Sequence, residues 1–152
     1  MENSEKRYWD LSSVVLLLAA LWVAALRLWV TDWTEHLERV ELLVLLGWLL
    51  GIAVGKSKFS SSAARWITFL YSIILIPWQL GLTIGDDLLW GDRLNIVFDR
   101  LSNTTRVFLS NSPVQDPILF ITSMSLLYYL VALIGGYYLV RYRRPWMALG
   151  VV

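Results

Sequence analysis

The sequence predicts an all-α fold: a polytopic integral membrane protein with four transmembrane helices, the start of a fifth, and one interfacial amphipathic helix. Three observations predict it. The 152 residues are 57% hydrophobic and only 16% charged, with mean hydropathy +0.58, where soluble domains run near 25% charged. Apolar stretches long enough for a bilayer recur along the chain. The basic residues crowd into alternate loops, the signature of a chain that crosses repeatedly.

The first span is 11–30. Lys6 and Arg7 precede it as they would in a signal peptide. The apolar run is too long for a signal h-region, however, and no small-residue cleavage site follows. Arg27 lies one turn from its end. An intramembrane charge is a functional candidate by default, but at that depth the side chain reaches the surface by snorkelling.

The second span, 40–55, belongs to the stretch that organises the rest, 31–58. Asp32 and Glu35 have capping-box spacing. Trp33, Leu37, Val40 and Val44 fall on one helical face, and Glu35 with Arg39 forms an acid-first i,i+4 pair. The fully apolar part, 42–55, is 14 residues, roughly 21 Å at 1.5 Å per residue against a core of ~30 Å. Gly47, Gly51 and Gly55 recur every four residues on a single stripe. Between lipids, helices associate through close backbone approach rather than apolar burial, so a glycine stripe is a candidate packing face. Its partner is either another helix of this chain or a second copy.

A Ser-rich basic loop, 56–65, leads to the third span, 66–84. Pro77 interrupts it, freeing a backbone carbonyl one turn back and favouring a kink. Gln79 follows two residues later. Together they are a candidate polar or kink site, since broken helices line sites in transporters.

Between 85 and 116 the chain stays out of the hydrocarbon. Leu94, Val97, Phe98, Leu101, Thr105 and Phe108 recur at helical spacing, with Arg93, Asn95, Asp99, Ser102, Asn103 and Arg106 filling much of the rest. A helix over 92–110 lying in the interface plane fits this pattern. The fourth span is 117–140, opened by Pro117 where proline is tolerated. Gly135 and Gly136 permit close approach, and Tyr128, Tyr129, Tyr137 and Tyr138 offer hydroxyls to neighbouring helices. Residues 146–152 are apolar again and begin a further crossing.

Orientation follows from the basic residues. Lys6, Arg7, Lys56, Lys58, Arg65, Arg141, Arg143 and Arg144 lie on one side, against Arg39, Arg93, Arg100 and Arg106 on the other. The positive-inside rule places the N-terminus in the cytoplasm. Trp9, Trp29, Trp33, Trp66, Trp90, Tyr142 and Trp146 sit at span ends, the level an aromatic belt occupies.

Several chemistries find no support. There is no cysteine and a single histidine, His36. That excludes disulfides, a Cys nucleophile and multi-histidine metal sites. Asp86 and Asp87 are the one adjacent acidic pair, too few ligands for a metal. No G-x-S-x-G element, phosphate-cradling loop or dinucleotide fingerprint occurs. Net charge +1 without a basic stripe argues against a nucleic-acid partner. No catalytic, cofactor-binding or metal-ligating residue is assigned, and no cofactor is expected.

Arg7, Tyr8, Trp9 and Asp10 precede the first span, Thr31, Asp32, Trp33 and Thr34 follow it, and Ile76, Pro77, Trp78, Gln79, Leu80 and Gly81 lie in the third. With the layout of residues 7–150, they resemble the N-terminal membrane region of bacterial membrane-anchored transglutaminase-like proteins. In that family the helices precede an extracytoplasmic papain-like domain with a Cys-His-Asp triad. The resemblance implies a non-catalytic membrane anchor or platform in a bacterial cytoplasmic membrane, with its catalytic domain further along a longer chain. None of the triad residues carries over, because the cysteine and the domain are missing here. The expected partners are the lipid bilayer, a downstream extracytoplasmic domain and, through helix–helix self-association, a second copy of the chain. Two alternatives remain open: a small transporter or channel subunit, and a helix-packing assembly subunit of a membrane complex.

Overall fold

A computed structural model of the chain describes residues 11–31, 37–85 and 87–142. It is all-helical, with five helices and no strand among the described residues: α1 Leu11–Val30, α2 Glu38–Lys56, α3 Ser61–Gly81, α4 Trp90–Leu109 and α5 Ile118–Tyr142. The Asp32 and Glu35 cap, Trp33, His36, Asp86 and the 146–152 segment lie outside the described residues.

Three helices, α1, α3 and α5, are long and apolar enough to cross a membrane. α2 falls short by composition, because Glu38, Arg39 and Glu41 load its first turn and Lys56 its last. It is nevertheless the centre of the bundle. Leu37, Val40, Leu43 and Val44 are fully withdrawn from the surface. Val44 meets Ala25 of α1 and Ala132 of α5, with Leu21 and Trp48 alongside. Leu43 packs on Tyr129 and Leu133 of α5, with Leu75 and Ile76 of α3 nearby.

The boundaries of α3 differ from the sequence reading of 66–84. Ser60 caps the helix, its hydroxyl accepting from the Ala63 N–H at 3.2 Å, so the serines start a helix instead of forming a loop. A side-chain oxygen that satisfies a free N–H of the first turn stabilises such a start by ~1 kcal/mol. At the other end Thr83 and Ile84 close a turn back onto Leu80 and Gly81. The ring of Trp90 lies against Gly81, 2.8 Å from where a Cβ would stand. α3 is continuous through Pro77.

α4 is the polar helix of the five. Its apolar stripe divides. Val97 packs with Leu80, Ile118 and Ile121, whereas Phe98 and Phe108 stay exposed. Arg93, which the sequence pattern placed among the polar positions, is only 7% exposed. Its Nε donates to the Leu88 carbonyl at 2.9 Å and its guanidinium covers the Trp90 ring, so the charge is screened by partners rather than by water. α4 ends on Asn111 at φ 55°, with Ser112 N–H donating to the Val107 carbonyl. This left-handed stop spends a residue type that tolerates the conformation.

Arg100 and Asp116 then tie α4 to the start of α5. Nε and Nη2 donate to Oδ2 and Oδ1 at 2.8 and 2.7 Å, and Oδ1 also accepts from the Ile118 N–H at 3.0 Å. The guanidinium's hydrogen bond is the largest cause that holds the Asp116 carboxyl below its usual range, the Ile118 N–H and the guanidinium's charge lowering it further against the opposing effect of burial, and the same pairing raises Arg100.

Candidate functional site

The glycine stripe of α2 lies on the backbone of α5. A Cβ at Gly47 would stand 2.6 Å from the Tyr129 carbonyl oxygen, and one at Gly51 closer still to that of Leu133. At Gly55 it would meet the Tyr137 carbonyl and the Val140 side chain, both at 3.1 Å. The contact is reciprocal, since a Cβ at Gly136 of α5 would stand 2.9 Å from the Trp48 carbonyl. Only residues without a side chain let two helices approach this closely, and the carbonyls they meet are rigid. The partner of the stripe is therefore within the same chain.

The pairing also gives direction. Position numbers rise together along the two helices, from Gly47 beside Tyr129 to Gly55 beside Tyr137, so α2 and α5 run parallel. α1 runs against both: Leu17 meets Gly135, while Tyr128 hydroxyl donates to the Ala24 carbonyl at 3.3 Å. α3 runs against α5, with Ser72 hydroxyl donating to the Tyr129 hydroxyl at 3.3 Å.

Pro77 and Gln79 do not converge on one site. Two residues apart on a helix, they face about 200° apart. Gln79 is 2% exposed, and its Nε2 donates to the Arg39 carbonyl of α2 at 3.3 Å. Its Oε1 is buried without a hydrogen-bond partner. Pro77 instead lines a groove on the other side of α3. Arg27 is exposed on α1, which contributes nothing to that groove.

The groove occupies about 990 Å³ between α3, α5 and one residue of α4. Pro77, Phe98 and Leu126 line one end; Ile73, Ile76, Leu130 and Ile134 line the middle; Ser61, Arg65, Tyr138 and Tyr142 line the other. α3 and α5 supply its two walls, and the Ser72–Tyr129 contact joins them. Beside the polar end, Arg141 Nη2 donates to the Phe59 carbonyl at 3.0 Å and its guanidinium covers the Tyr137 ring. Its Nη1 is buried without a hydrogen-bond partner.

Ser72 and Arg65 were not singled out for this site by the sequence. Their signal was weak: one hydroxyl inside an apolar span, and one basic residue among several in a row. Among the described residues no group of three His, Cys, Asp or Glu side chains stands close enough to hold a metal ion. Compared with known protein families, curated proteins and solved structures, the chain matches none.

Proposed function

We propose that this chain is a non-catalytic membrane platform, a helical block that crosses a bacterial cytoplasmic membrane four times and carries an extracytoplasmic domain. Its resemblance to the membrane region of transglutaminase-like proteins motivates the cargo, and the catalytic groups belong to that domain rather than to these helices. The parallel course of α2 and α5 carries the reading. Two parallel helices joined by α3 need one return crossing between them, which α3 supplies, leaving α4 at one end of the bundle. α2 then crosses as well: 19 residues reach roughly 28 Å, and its charges sit in the first and last turns. Lys56, Phe59, Arg65 and Arg141 gather at the end opposite α4, which supports a cytoplasmic placement of that end and of the N-terminus.

The transporter reading has one observation in its favour, the buried unpartnered Oε1 of Gln79. Against it stands the divergence of Gln79 from Pro77. Purified protein in liposomes decides between the two. The platform moves no entrapped ion or small solute above empty liposomes; a flux that Gln79→Met abolishes would replace it with the transporter. The platform also expects a soluble domain with a Cys, a later His and an Asp encoded in frame beyond Val152. A stop codon soon after that point would count against the cargo.

A further inference from the structure

We infer that the groove between α3 and α5 is a binding site for an anionic phospholipid, with the phosphate at Arg65 and an acyl chain laid along Ile73 toward Pro77. This rests on the crossings of α3 and α5 proposed above. From Ser61 to Pro77 the groove follows 17 residues of helix, roughly 24 Å from first to last at 1.5 Å per residue, long enough for one extended acyl chain. Its lining is graded in the way a lipid is. Phe69, Ile73, Ile76, Leu130 and Ile134 offer hydrocarbon through the middle.

At the far end Arg65 is the one charged residue among the lining groups. Among the described residues it has no hydrogen-bond or ion-pair partner. A guanidinium presents its donors in a fork that matches phosphate oxygens. Lys56, Lys58 and Arg141 lie at the same end, and the nearest acidic residues of the described chain, on α4 and in the first turn of α2, lie at the opposite one. Charge therefore selects an anionic headgroup over a zwitterionic one.

Native mass spectrometry of the full chain tests the site. Detergent-purified protein is incubated with phosphatidylglycerol or with phosphatidylcholine of the same acyl chains. Phosphatidylglycerol should be retained preferentially, and Arg65→Gln should weaken its retention about fivefold, the effect of one basic residue near an anionic surface. Ile73→Trp, which fills the groove without touching charge, should reduce retention of the lipid outright. Leu70→Trp, on the same helix but outside the groove, should leave it unchanged. Equal retention of the two lipids by the parent, or retention indifferent to Arg65→Gln and Ile73→Trp, overturns the proposal.

A protein occupant would overturn it too. Disulfide formation between Phe69→Cys and Met147→Cys within one chain would put the chain's own segment there, and a Phe69→Cys dimer would put a second copy there. The crossings are checked separately, by labelling Cys substitutions at Ser62 and Ser112 in cells. Opposite-side labelling with no lipid selectivity defeats the groove alone, whereas same-side labelling defeats the crossings on which it rests.

Discussion

The α-carbon of Gly47 on α2 faces the carbonyl of Tyr129 on α5 so closely that even a methyl group would stand 2.6 Å from the oxygen. The space between the two helices is a backbone-to-backbone contact, and no rotamer can relieve a side chain placed there. Gly51→Leu should therefore cost at least the ~1–3 kcal/mol of an overpacked core, because Leu133 supplies a carbonyl rather than a movable side chain. Thermal aggregation of detergent-purified protein reads this as a lowered midpoint. Leu49→Ile, at a position 48% exposed, should shift it little. Equal midpoints for the two variants would mean that α2 and α5 do not meet at the stripe.

Tyr129 is fully enclosed, and its hydroxyl accepts the Ser72 bond that ties α3 to α5. Hydrogen bonds between membrane helices average ~0.6 kcal/mol. Tyr129→Phe should lose about that much, while Tyr129→Ala, which leaves a cavity, should lose ~3–5 kcal/mol. Unfolding in mixed micelles separates the two. A Phe variant as damaged as the Ala variant would assign the hydroxyl a larger role than this geometry allows.

Gln79 makes one long bond and leaves one buried oxygen without a partner. Removing both polar groups while keeping the volume should be nearly neutral, since the unsatisfied acceptor disappears with the weak donor bond. Gln79→Met is expected within about 1 kcal/mol of the parent in the same assay. A large loss would show that Oε1 has a partner of consequence.

Asp116 is held in its charged form by Arg100, so its folded carboxyl titrates below the unfolded one. The sign follows. The stabilisation is full above about pH 5, begins to fade near the unfolded value of ~3.9, and is gone below the depressed folded value. Both groups are partly exposed, 42% and 29%, which limits the pair to ~1 kcal/mol despite its two-pronged geometry. Asp116→Asn should lower the midpoint of thermal unfolding modestly at pH 7, and parent and variant should converge as the pH falls toward 3. A gap that persists or widens in acid would contradict this.

Introduced cysteines test the course of the chain, because the background contains none. Ser62 and Ser112 are both exposed and lie at opposite ends of the bundle. Substituted one at a time, they should react with an impermeant maleimide from opposite sides of intact cells or spheroplasts, Ser112 from outside.

Helical character, the apolar segments that become α1, α3 and α5, and the polar helix between the last two were legible in the chain, because each depends on spacing and composition within one stretch. The stripe of Gly47, Gly51 and Gly55 was legible for the same reason: a period of four closes on one face whatever surrounds it. Helix starts were less so. Ser60 caps α3 six residues ahead of the apolar run that begins at Trp66, a local hydrogen bond that a hydropathy pattern does not register.

What the stripe meets was decided only by tertiary structure. Nothing in the sequence of α2 distinguishes the carbonyls of Tyr129 and Leu133 from those of another helix or another copy, since every residue carries a carbonyl. The same holds for Pro77 and Gln79, neighbours in sequence that a helix turns to opposite sides, one toward the groove and one toward α2. Arg65 gained its meaning in the same way. Its place at the end of an apolar groove depends on how α3 and α5 lie against each other, which the sequence of α3 alone does not contain.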